Sequence, residues 1–101
     1  MKNLMTRYSY YFEMKNLCND LAKAYLEFDG DKSVDADIYF HAKDGFEQKI
    51  RNLSIDESQR PLSEERLKRL EDFRWFVRNK EEAAKRHREQ ANEKDADSAG
   101  A

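Results

Sequence analysis

Five oxygen-bearing side chains alternate along the chain at Asp29, Asp31, Ser33, Asp35 and Asp37, the arrangement a hard cation such as calcium would need. The pattern fails at its two decisive positions. Val34 stands where the sharp turn of a calcium loop requires glycine, and Phe40 stands where a bidentate glutamate should close it. A helix start rich in aspartate explains the same residues, because carboxylates in a first turn are favoured by the helix dipole.

The remaining reactive types are sparse. Cys18 falls on an apolar stripe, where a thiol is an inert small hydrophobe rather than a nucleophile. His41 and His87 lie in different segments, and neither has a partner at a metal-ligand spacing. Three well-separated glycines cannot form a phosphate-cradling loop. Carboxylates are plentiful, but acid–base catalysis needs a pair whose environments push their pKa values apart, and nothing nominates one. The expectation is a protein that is not an enzyme, with no cofactor and no metal.

"RLKRLEDFRWFVRNK", residues 66–80, mixes one Trp and two Phe with six Lys or Arg. Leu67, Leu70, Phe73, Val77 and Ala84 share one arc of a helical wheel, with Phe76 at its margin. Four acid-to-base pairs are spaced at i,i+4: Glu64 with Lys68, Glu65 with Arg69, Glu81 with Lys85, and Glu82 with Arg86. Such interleaving neutralises a basic run, whereas a helix that binds nucleic acid keeps a stripe of cations for the phosphates. The cations left over are Arg60, Arg66, Arg74, Arg78, Lys80 and Arg88. Of these, Arg60, Arg74, Arg78, Lys80 and Arg88 would carry nucleic-acid binding, the disfavoured alternative. Trp75 projects to the charged side of the wheel. It either packs on the N-terminal segment near Tyr8 or Phe12, or anchors a partner together with Arg78, since Trp and Arg are enriched among interface hot spots.

"RYSYYF", residues 7–12, is the second aromatic cluster. Tyr gives large contact area at little entropic cost, so Tyr8, Tyr10 and Phe12 join Trp75 and Arg78 as candidate partner-binding residues. Stacking on single-stranded nucleic acid or simple packing at the end of the core would use the same rings.

These residues are carried by helices. The chain has 101 residues, 40% of them charged and 12% aromatic, with three Gly and one Pro. That is one domain's worth of a helical protein with little turn chemistry. Tyr11, Met14, Cys18, Leu21, Tyr25 and Phe28 repeat with a 3-4 spacing, widened by Leu17 and Ala24. Leu4, Met5, Tyr8 and Phe12 project elsewhere, so the start of this helix is apolar on two sides. Gly30 and Ser33 in "DGDKS" end one helix and cap the next. Ile38, Tyr39, Ala42, Phe46, Ile50 and Leu53 share a second helical face. Over residues 36–42 the alternation also suits a strand, but no strand partner exists elsewhere. Ser63 caps a third helix, with Leu62 and Leu67 as a hydrophobic staple.

The spacing thus predicts an all-α, antiparallel three-helix bundle with helices near residues 4–28, 34–53 and 63–90. It predicts one domain over residues 1–90 and a disordered tail over 91–101. A net charge of -2 conceals a basic excess over residues 60–88 and an acidic excess on either side. One cysteine, no secretory pattern and no long apolar run point to the cytoplasm and away from membranes. The expected function is a small interaction module, an adaptor, inhibitor or assembly factor. It would bind another protein and form a homodimer through the doubly apolar start of the first helix.

Overall fold

In the computed structural model the backbone is described for residues 5–100 and side chains for residues 5–91. Four helices follow one another: α1 (Arg7–Asp29), α2 (Val34–Asn52), the one-turn α3 (Ile55–Ser58) and α4 (Glu64–Gly100). The all-α expectation holds, and residues 36–42 are helical. The expected tail, 91–101, overlaps the last turns of α4, and its side chains beyond Ala91 lie outside the described residues, as does Leu4.

The helix boundaries follow from local chemistry. Thr6 caps α1, its hydroxyl accepting from the Ser9 N–H at 3.2 Å. α1 ends at Gly30, whose φ of 79° and ψ of −170° lie in a region open essentially to glycine alone. Ser33 caps α2 by accepting from the Ala36 N–H at 3.1 Å, while its own hydroxyl donates to Asp29 at 3.1 Å. Asp35 and Asp37 occupy the first turn of α2, so the alternating acids belong to a helix junction. Ser63 accepts from the Arg66 N–H at 3.3 Å and starts α4. Connection 53–63 holds α3, capped by Ser54 accepting from the Glu57 N–H at 3.2 Å. The Ser-x-x-Glu spacing of a capping box was there to announce it.

α1 is the spine. α2 returns antiparallel to it, as the ring pairs Tyr25 with Tyr39 and Tyr11 with Phe46 require. α4 runs parallel to it, joined by Arg74 to Glu13 and by Arg88 to Glu27. The two helix entries are tied together: the Arg7 N–H donates to the Arg60 carbonyl and the Leu62 N–H to the Met5 carbonyl, both at 3.0 Å. Among the described residues no Cα of α2 lies within 8 Å of a Cα of α4. The three long helices therefore form an open layer in which α2 and α4 flank α1 and touch through side chains, with the one-turn α3 added to the three helices expected.

The core lies along α1. Leu17 and Leu21 meet Leu70 and Val77 of α4, with Tyr10 at one end. Met14, Tyr11, Tyr25, Tyr39 and Phe73 pack half-buried around them. Ala22, Ala24, Ala36 and Ala84 are also buried. Both predicted apolar arcs thus face inward. Ile38 departs from its predicted face and is 55% exposed, because Ala36 is the residue of α2's first turn that meets α1.

Candidate functional site

Cys18 is 2% exposed, and burial pushes its thiol up to about 11 from 9.0. That suits an inert core residue and not a nucleophile. A folded-state pKa above the unfolded value leaves stability intact below pH 9 and removes it as pH rises towards 11. At ~1.4 kcal/mol per unit, the loss reaches about 2 to 3 kcal/mol. Urea titrations at pH 8 and pH 10.5 are expected to show less alkaline destabilisation for Cys18→Ala than for the native protein. Equal losses would show that Cys18 ionises freely.

Among the described residues no three His, Cys, Asp or Glu side chains are grouped to hold a metal ion. His41 is exposed, with Nδ1 at 2.8 Å from the Asp37 carbonyl oxygen. His87 is exposed, with its ring 5.6 Å from that of Phe28. A groove of roughly 470 Å³ runs between α1 and α4, lined by Asp20, Glu27, Glu81, Lys85 and Arg88 among others. Partial burial there, and then the Asp20 carboxylate, raise the Glu81 carboxyl above its usual range.

The aromatic clusters divide between core and surface. Tyr10 is 7% exposed and belongs to the core, so it leaves the set of partner-binding candidates. Tyr8 and Phe12 remain on the surface, stacked with ring centroids 6.1 Å apart. Lys15 lies 4.3 Å over the Phe12 ring, within cation–π range. Ile50, Glu47 and Arg51 of α2 complete a groove of roughly 350 Å³ beside these rings. Lys15 reaches Phe12 from one turn along α1, whereas Arg51 joins the groove only because α2 packs antiparallel to α1, bringing together residues far apart in sequence.

Trp75 is 71% exposed on the face of α4 turned away from α1. It does not pack on Tyr8 or Phe12, because those rings look towards α2 and α4 lies on the other flank of α1. Its neighbour Asn79 donates through the side-chain amide to the Trp75 carbonyl at 2.9 Å. Arg78 is exposed one turn along the same helix.

The cations proposed for nucleic acid are scattered or occupied. Arg74 Nε donates to Glu13 Oε1 at 2.7 Å across the α1–α4 interface. Arg88 Nε lies 3.2 Å from Glu27. Lys80 sits 5.7 Å over the rings of both Tyr25 and Phe76. Arg60 lies in the connection before α4, away from Arg78. Of the four expected i,i+4 pairs only Glu65 with Arg69 forms, at 3.1 Å, among the described residues. The pattern of acids on α4 was legible, but which acids the arginines take depends on Glu13 and Glu27 of a distant segment.

Sequence reasoning also missed a row of rings across the open side of the layer. Tyr25 stacks on Tyr39 at 5.8 Å, Tyr39 approaches Phe73 at 6.4 Å, and Phe73 approaches Phe76 at 6.5 Å. All four had been read as apolar-face residues. Their meeting in one row follows from α1 serving both flanking helices.

No protein-family model matches the chain, and no curated protein or solved structure shows significant similarity to it. Among the described residues no helix is long and apolar enough to cross a membrane.

Proposed function

We propose that the protein is a small non-catalytic interaction module, an adaptor, inhibitor or assembly factor of the cytoplasm, that binds another protein through the outer face of α4. The observation carrying this reading is Trp75, 71% exposed on a well-formed helix. Burying a large apolar side chain is worth about 1.5 to 3 kcal/mol, and the fold gains almost none of it at this position. A partner that covers the ring recovers that stabilisation at a rigid site, with Arg78 beside it. Tyr8 and Phe12 offer a second, smaller platform on the opposite flank.

The nucleic-acid reading is weakened by the engagement of Arg74 and Arg88 with α1 carboxylates. Affinity for phosphates scales with the cations free to neutralise them, and Arg60 and Arg78 stand far apart.

Affinity capture from a host extract, with native protein and Trp75→Ala side by side, tests the module. At least one protein held by the native chain is expected to fall by about tenfold or more with the variant, the size of a hot spot. Circular dichroism should be unchanged. Identical capture by both would remove Trp75 from the site. Binding of labelled single-stranded RNA or duplex DNA below about 1 µM at physiological salt, lost in Arg60→Ala with Arg78→Ala, would favour the second reading instead.

A further inference from the structure

The outer face of α4 carries a charge pattern that reverses about Trp75. On the helical wheel Glu64, Lys68, Asp72, Trp75, Arg78, Glu82 and Arg86 lie on the side opposite Leu70 and Val77. All seven are exposed. Among the described residues none of the six charged members makes an ion pair within 4.0 Å. This sets them apart from Arg69, Arg74 and Arg88 of the same helix, which are paired. Asp72 precedes Trp75 by three residues and Arg78 follows it by three; Lys68 and Glu82 stand seven away, Glu64 and Arg86 eleven away. In each case the residue before Trp75 has the opposite sign to the one after it.

We infer that this face binds a second copy of the chain, α4 against α4 in antiparallel orientation, with the two Trp75 side chains meeting at the two-fold axis. The inference rests on the reading of Trp75's face as a binding surface and names the partner. An antiparallel pair centred on Trp75 sets each position before it against the position equally far after it. Asp72 of one copy then faces Arg78 of the other, Lys68 faces Glu82, and Glu64 faces Arg86, each pairing occurring twice by symmetry. A parallel pair in register would set every one of these charges against itself, and like charges held together are repulsive. The choice of orientation therefore follows from the sign pattern. Access is open: α1 lies behind α4, so the two layers approach back to back.

The face spans 23 residues, Glu64 to Arg86, about 33 Å at 1.5 Å of rise per step. Such a strip falls below the size of a standard stable interface, and its exposed ion pairs are screened by salt. The dimer is accordingly a weak, exchanging one that forms at tens to hundreds of micromolar and strengthens at low ionic strength. This places self-association on α4 rather than at the start of α1, where Met5 to Arg7 are already engaged with Arg60 to Leu62.

Sedimentation velocity on the full chain from about 10 to 500 µM in low salt tests the pairing. The native protein is expected to shift from monomer to dimer. Trp75→Ala and Glu82→Lys should each weaken the dimer by about tenfold or more. The double variant Lys68→Glu with Glu82→Lys restores opposite signs only in the antiparallel register, and should return the affinity to within about threefold of native. Raising the salt from about 50 to 500 mM should weaken the native dimer by about tenfold. A monomer throughout, a dimer indifferent to Glu82→Lys, or a double variant no better than the single would each overturn the pairing. Those outcomes leave the module reading standing on its capture experiment, whose readout does not depend on dimerisation.

Discussion

Replacing Leu21 by alanine is expected to lower the free energy of unfolding by about 3 to 5 kcal/mol, the upper range for a buried leucine. Leu21 is 0% exposed and lies on the spine helix, in the core cluster that Leu17 and, from α4, Val77 also join. Its neighbours stand on well-formed helices and can close only partly over the vacated space. Alanine therefore leaves a cavity as well as losing the transferred methyl groups. A domain of this size has about 5 to 15 kcal/mol in total, so the variant stands near the limit of folding. The control is Ile38→Ala, a substitution of similar chemistry on a residue 55% exposed, expected to cost less than about 1 kcal/mol. Urea denaturation monitored by circular dichroism distinguishes the two. A loss below 1 kcal/mol at Leu21, or equal losses at both positions, would show that the core is not organised along α1.

The contrast between Leu21 and Ile38 also shows what the sequence could convey. A 3-4 repeat tells which side of a helix is apolar, and the stripes of α1 and α4 were legible because each is long and continuous. Ser33, Gly30 and Ser63 were legible for a local reason, since capping bonds span three or four residues. Ile38 was misplaced because the alanine at position 36, too small to dominate a pattern, lets α1 approach closely. Glu64, Glu81 and Glu82 were assigned partners by spacing alone, yet solvent-exposed pairs of this kind are worth only ~0.2 to 0.5 kcal/mol and need not form. Glu13 and Glu27 take Arg74 and Arg88 instead, and those contacts exist only once α4 is parallel to α1. Trp75 was recognised as the residue that the core arc leaves over. Its surroundings turned on the layer being open, with α2 and α4 meeting through side chains and not by close backbone approach, a long-range property no local pattern encodes.

That spacing gives the rings of the open side a mechanical role. Among the described residues α2 and α4 make no close backbone approach, so the two flanking helices communicate through α1 and through the contact of Tyr39 with Phe73 at 6.4 Å. Phe73→Ala is expected to cost about 3 kcal/mol, the lower end for a phenylalanine truncation because the ring is only half-buried. Phe73→Leu, which keeps the volume near Leu70 and loses the ring face, should cost less than half as much. Tyr39→Ala removes the other side of the contact and also the stacking on Tyr25 at 5.8 Å. If the rings couple the helices, the double variant should be less destabilised than the sum of the single ones by about 0.5 to 1.5 kcal/mol, the range for an aromatic pair. Hydrogen exchange reports the same coupling by element. In Phe73→Ala the amides of α2 should lose protection although the substitution lies on α4, since α2 then keeps only its seam with α1. Strict additivity, with α2 exchange unchanged, would mean that the rings are neighbours without consequence and that each flanking helix is held by α1 alone.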